Sequence, residues 1–275
     1  MTSLLFLTML TQGDLNQELL QWRADQEKSI RKERGWLAVS GLYWLRPGVN
    51  PIGPGGIELP RAQGNIGSAV FSGGTVTLRI AKGLQFDGKP VTEAVLRPDS
   101  GDRAVLGPLT FAIIKRGTRT GIRLWDSQSE ERLNFKGRKW YAPSQKLRIE
   151  AYFMPYDPPK RVPITNVLGD TESQNSPGYL SFFLDGKEYR LDTIDEGETL
   201  FVNFKDATSG KTTYPAGRFI DAPRPKNGIV ILDFNKAYNP PCAFTNFATC
   251  PLPLKGNELP IPIPAGELTH HARVK

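Results

Sequence analysis

The chain has 275 residues, enough to bury a full core, and its 27 glycines and 23 prolines are scattered without a period. That composition speaks against a long-helix protein and for many short strands joined by turns. The formal charge of +7 comes from 35 basic and 28 acidic residues. The basic residues form no single block, so a solvated surface is preferred over nucleic-acid binding.

Taken in chain order, the first ten residues are mostly apolar, with Leu4, Leu5, Phe6, Leu7, Met9 and Leu10. The stretch is too short to span a bilayer, and no later segment is apolar enough, so no transmembrane segment is expected. It has the character of the apolar part of a secretory signal but lacks a basic lead and a small-residue cleavage site. Residues 1–13 are therefore read as a truncated export signal or a disordered N-terminus. The expected location is periplasmic or secreted, with the cytoplasm as the alternative. One amphipathic helix is predicted over 14–34. Asp14 and Gln17 can form a capping box, and Leu15, Leu19, Trp22 and Ile30 fall near one face. Arg23 with Glu27, and Glu27 with Arg31, can pair one turn apart, and Gly35 supplies the stop. The basic run Lys28 to Arg34 lies on this helix, interrupted by Glu33.

Beyond Gly35 the period falls to two. Val76, Leu78 and Ile80 alternate with polar residues, as do Leu147, Ile149, Ala151 and Phe153, which is the pattern of half-buried strands. Phe111 to Ile114 and Ile229 to Leu232 read as buried strands. Tyr179 to Leu184, Asp185-Gly186, and Lys187 to Leu191 spell a hairpin whose two turn residues accept positive φ. Asp87-Gly88 and Asn227-Gly228 suggest two more tight turns. Trp36 and Trp44, set among apolar neighbours, read as core rather than as a sugar platform. Pro240 to Pro264 is too rich in proline for a central strand or helix and is expected to wrap over the sheet. The fold class that follows is mainly β, an antiparallel sandwich or barrel-like sheet behind one helix. Residues 14–275 are read as a single domain, with a boundary near Met154 to Pro159 as the alternative.

The densest chemistry lies in LDFNKAYNPPCAFTNFATCPLP, which begins at Leu232, and in TYPAGRF, which begins at Thr213. These motifs, together with GWLAVSGLYWL from Gly35 and the late Ala265-Gly266-Glu267, resemble the bacterial and archaeal domain-of-unknown-function 1684 family from about Trp22 to Glu267. The resemblance implies a shared core that contains the motifs, often behind an export signal. It carries no activity and no catalytic residues.

The preferred functional reading is a small-molecule-binding domain whose pocket is built from Tyr214, Arg218, Asp233, Asn235, Tyr238, Asn239 and Cys242. Tyr214, Tyr238, Phe244 and Trp44 would supply apolar walls, and Arg218 would orient a small polar or anionic ligand. In a blander reading the polar side chains satisfy a sharp loop and Arg218 pairs with Asp233. A hydrolase-like alternative uses the carboxylates of Asp233, Glu267 and Asp206, and a third reads the chain as a protein-interaction module. Arg116, Arg123 and Asp126 are expected to make a cross-strand ion pair, with a place on the same pocket face as the alternative. Cys242 and Cys250 are expected to bridge if the protein is exported. The only histidines, His270 and His271, sit near the C-terminus. No metal or cofactor is expected. Asp206 to Gly210 lacks the alternating acids of a calcium loop, and no nucleotide-binding glycine motif occurs. No oligomeric state follows from the sequence.

Overall fold

The computed structural model describes residues 12–270. Of the expected truncated signal or disordered N-terminus at 1–13, residues 1–11 lie outside the described residues, as does His271, and Gln12 and Gly13 already belong to a helix. Helix α1 (Gln12–Ile30) buries Leu19 and Ile30. It already includes Asp14, so the expected cap falls inside the helix, and it ends four residues before the predicted limit. The chain tightens there into a turn closed by Gly35 N–H on the Lys32 carbonyl (2.8 Å). Arg132 Nε donates to the carbonyl of Arg31 (2.9 Å), satisfying a group that the helix leaves open. Of the two expected helix pairs, Arg31 with Glu27 is present at 2.7 Å, whereas Arg23 reaches the Tyr141 carbonyl instead (3.1 Å).

Ten strands follow: β1 (Val39–Trp44), β2 (Gly48–Ile52), β3 (Gly67–Ser72), β4 (Thr75–Ile80), β5 (Leu84–Phe86), β6 (Lys89–Pro90), β7 (Glu93–Leu96), β8 (Ala104–Leu106), β9 (Leu109–Arg116) and β10 (Arg119–Asp126). They form two antiparallel sheets, ordered β1-β10-β9-β8-β5-β6 and β2-β3-β4-β7. The period-2 face of β4, with Val76, Leu78 and Ile80, meets Phe111, Ile113, Ile122 and Leu124 from the other sheet in one apolar core.

A short helix α2 (Glu130–Leu133) then leads towards the second set of strands. Its N-cap Ser129 is buried, accepts from Arg132 N–H (3.3 Å) and donates to the Leu37 carbonyl (2.8 Å). Ser129→Ala is expected to cost about 1–2 kcal/mol, from the lost cap and an orphaned buried carbonyl. Urea unfolding should show a lower midpoint at an unchanged slope.

The second set is β11 (Arg148–Thr165), β12 (Thr171–Leu184), β13 (Lys187–Asp192), β14 (Ile194–Glu196), β15 (Thr199–Phe204), β16 (Arg218–Pro223) and β17 (Ile229–Asp233). It forms the antiparallel sheets β13-β12-β11-β17 and β14-β15-β16. Leu180, Phe182 and Leu232 of one sheet face Leu200, Val202 and Phe204 of the other, and Leu259, Ile263 and Ala265 from the proline-rich C-terminal strap (residues 240–268) close the layer. The predicted hairpin is present: Leu184 pairs with Lys187 across Asp185 (φ 51°) and Gly186 (φ 75°). Lys89 pairs with Phe86 across Asp87-Gly88, and Lys226 with Ile229 across Asn227-Gly228. The proline-rich Met154 to Pro159 does not interrupt the chain; β11 runs through it with a register shift between Pro155 and Lys160. Only Arg148 to Tyr152 of β11 pair with β17. Phe153 N–H still reaches the Gly228 carbonyl, and at the far end the Thr165 carbonyl accepts from Leu252 N–H; the stretch Met154 to Pro159 between them has no strand on that side, so a residue without an N–H leaves no ladder bond unmade.

No helix among the described residues is long and apolar enough to cross a membrane.

Candidate functional site

Arg218 opens β16 opposite Phe204 of β15 and is completely buried. Its partner is Asp206, just beyond the end of β15 (3.2 Å), and not Asp233. The guanidinium also donates to the carbonyls of Ala265 and Ile263 and lies over the Phe204 ring. Asp206 in turn accepts from Ile263 N–H (2.7 Å) and Thr208 Oγ1 (2.7 Å). The pair therefore pins the strap to the sheet. Burial pushes the guanidinium below its ordinary pKa, and Asp206 opposes the shift. Asp233 belongs to a different sheet, where Arg148 reaches it at 2.8 Å.

The other predicted residues divide among several places. Asp233 Oδ1 accepts from the backbone N–H (3.0 Å) and side-chain amide (2.8 Å) of Asn235. Asn235 binds both the N–H and the carbonyl of Ser144. The two line a shallow depression beside Glu18 and Leu19 of α1. Asn239 holds the end of the strap: its N–H donates to Glu267 (2.8 Å) and its amide to the Leu268 carbonyl (2.8 Å). Glu267 is paired with Arg138 at 2.5 Å, both almost fully buried. Burial pushes the Glu267 carboxyl up to about 7, against the pull of Arg138 and the Asn239 N–H. Gly266 permits this approach, because a Cβ there would lie 2.5 Å from the Ala237 carbonyl oxygen. The three acids considered for hydrolysis, Asp206, Asp233 and Glu267, thus each have their own arginine.

Tyr238 donates to Asp221 Oδ2 (2.9 Å) and packs edge-on against Phe219 (5.8 Å). Phe219 and Asp221 point to the face of β16 opposite Arg218, by the alternation of a strand. The guanidinium at 218 and the phenol at 238 therefore do not share a concavity. Trp44 packs under Arg119 instead (4.3 Å), and the half-buried Trp36 packs against the core under Arg123 (4.9 Å). Phe244 lies beside Phe135 and His270. The expected ion pair within Arg116, Arg123 and Asp126 does not form: Asp126 pairs with Arg61 at 2.7 Å, and Arg116 is 3.9 Å from Asp99.

Cys242 and Cys250 are both free, and the pair stands at 3.3 Å, well beyond the ~2.05 Å of a disulfide bond. The expected bridge is therefore absent. The Cys250 thiol hydrogen-bonds Cys242, which holds Cys242 below its ordinary pKa and, with burial, pushes Cys250 up. Tyr214 donates to the Cys242 carbonyl (3.1 Å). Thiol labelling of unreduced, denatured protein is expected to find two reactive cysteines per chain; in the native state Cys242, the less buried of the two, should react first.

A cleft opens on the other side of this cluster, between β11–β12, β14–β15 and the strap. It offers about 100 Å3. Ile164, Ile194, Phe201, Leu252 and Leu254 make its walls, continuous with an apolar cluster that also takes in Tyr238, Cys242 and Cys250. Its polar lining is Gln174, Asp192, Glu196, Asn203 and Asn257. The Asn257 amide is fully committed: it bonds Asp192 N–H (2.7 Å) and the carbonyls of Asp192 and Asn203 (2.9 Å each). Asn203 is 6% exposed and gives its amide N–H to the Pro251 carbonyl (2.8 Å), while its Oδ1 is buried without a partner. Sequence reasoning passed over this cleft. The available signal was the lone amide in the apolar run Leu200-Phe201-Val202-Asn203-Phe204 of β15.

The sequence model of the family described as a protein of unknown function (DUF1684) matches residues 133–268. A solution NMR structure of an uncharacterized protein of Haloarcula marismortui is 35% identical to the chain, over 51% of this chain and 80% of that one, with a TM-score of 0.43. Residues 133–268 of the chain thus belong to the DUF1684 family. The family match takes in the cleft, the Arg218–Asp206 pair and the cysteines, whereas the motif from Gly35 to Leu45 lies outside it. No curated protein matches the chain.

Proposed function

We propose that this DUF1684 chain is a small-molecule-binding β domain and that its site is the cleft under the proline-rich strap. The observation that carries the reading is Asn203 Oδ1, a buried acceptor without a partner in the lining of a cleft with apolar walls. Leaving such a group unmade costs about 1–3 kcal/mol, which a ligand N–H or O–H offsets. Few convergent polar groups among apolar walls is the usual make-up of a ligand pocket. Of the seven residues singled out in the sequence, Tyr238 and Cys242 pack in the cluster beneath this cleft, whereas Arg218 is spent on Asp206 and two strap carbonyls.

Native mass spectrometry of protein purified from its own host tests the reading. A co-purifying small mass is expected, and it should be lost in Leu254→Trp, which fills the cleft from the half-buried strap. A bound mass that survives Leu254→Trp, or protein from its host with no bound mass, overturns it. Export is part of the proposal and rests on the apolar residues at 4–10; fractionation of host cells with an antibody to the chain should find it outside the cytoplasm.

A further inference from the structure

Resting on that reading, we propose that the cleft takes a small organic ammonium ion with an apolar body. The charged residues that line it are Asp192 and Glu196; no lysine, arginine or histidine does so. Neither acid is in an ion pair among the described residues, although their neighbours are: Asp195 is paired with Arg224, and Glu188 lies 4.0 Å from Arg190. Asp192 Oδ1 accepts from the Tyr156 phenol (2.6 Å), a neutral donor that leaves the carboxylate charge in place. The cations near that phenol face rings, Lys160 over Tyr156 (3.5 Å) and Arg190 over Tyr179 (5.2 Å). Asp221, close enough to act on Glu196 electrostatically, adds to the negative field at the rim.

The hydrogen-bonding inventory points the same way. Asn203 Oδ1 can only accept, both carboxylates accept, and the Asn257 amide has nothing left to give, so acceptors outnumber the one lining side chain with a donor to offer, the Gln174 amide. An ammonium group has three donors and no acceptor, so it matches this lining in charge and in hydrogen-bond sense. A carboxylate or phosphate would face two like charges and an acceptor. The aliphatic walls and Phe201 accept the body of the ligand, and about 100 Å3 limits it to a few carbons, since a dry cavity of ~150 Å3 takes up benzene.

The test is calorimetric titration of the full chain with three matched probes: 3-methylbutylammonium, 3-methylbutanol and 3-methylbutanoate. The ammonium is expected to bind about tenfold or more tightly than the alcohol, a difference of ~1.4 kcal/mol, and the carboxylate not at all. Glu196→Gln, a change at an exposed position, should remove most of that preference, and Leu254→Trp should abolish binding. Equal affinity for alcohol and ammonium, both lost in Leu254→Trp, overturns the ammonium class and leaves the small-molecule reading standing. Tighter binding of the carboxylate has the same meaning. Binding of none of the three, or binding of the ammonium that survives Leu254→Trp, overturns both.

Discussion

Arg218→Met is expected to destabilise the fold by about 3–5 kcal/mol, the usual cost of removing one partner of a buried ion pair. The side chain is fully buried, and so is that of Asp206. Methionine fills most of the space but leaves the Asp206 charge without its counter-ion and strips donors from the Ala265 and Ile263 carbonyls. The strap then loses two of the polar contacts that hold it over the sheet. Urea unfolding followed by tryptophan fluorescence measures the loss. The double variant Arg218→Met, Asp206→Asn separates charge from packing: it should recover a good part of the stability, because the asparagine Oδ1 can still accept from Ile263 N–H while the buried charge is gone. A single variant that loses less than about 1 kcal/mol, or a double variant no more stable than the single one, would show that the pair does not hold the strap.

The second large effect is a pH dependence centred on Glu267. Its carboxyl stands at about 7 in the fold against an ordinary 4.5, so the native state binds a proton there that the unfolded chain has released. Stability from this group is fully present below about 4.5 and is lost as the pH rises through about 7. At ~1.4 kcal/mol per pH unit, the loss over that window is roughly 3 kcal/mol. Glu267→Gln mimics the protonated acid and should remove the dependence. The stability difference between wild type and Glu267→Gln is therefore expected to move in favour of glutamine as the pH goes from 4.5 to 7.5. A difference that stays flat, or moves in favour of glutamate, would mean that Arg138, 2.5 Å away, outweighs burial and holds the carboxylate ionised.

The turns and strands were legible because neighbours in sequence decide them. Asp185-Gly186 takes positive φ whatever surrounds it, and Val76, Leu78 and Ile80 must face one way once the segment is extended. The helix end was less so. The group that satisfies the Arg31 carbonyl is Arg132, a residue about a hundred positions away that no local signal announces. The prolines of Met154 to Pro159 are no easier to read locally, since the cost of proline in a strand depends on whether that stretch is an edge, and the sheet order decides that.

The functional residues were legible as an unusual cluster but not as a site. Arg218 could have met any of several acids in the sequence. It meets Asp206 because β16 lies against β15, whose end leads directly to that acid, while Asp233 closes β17, beside β11. The cleft has no counterpart in any one segment, because its lining comes from β11–β12, β14–β15 and the strap. By itself, then, the sequence determined the β architecture, the hairpin turns and the family, all of which rest on local conformation and motif. The tertiary structure alone decided which charges neutralise one another and which are left facing a cavity, because those pairings follow from strand order and from the two faces of each strand.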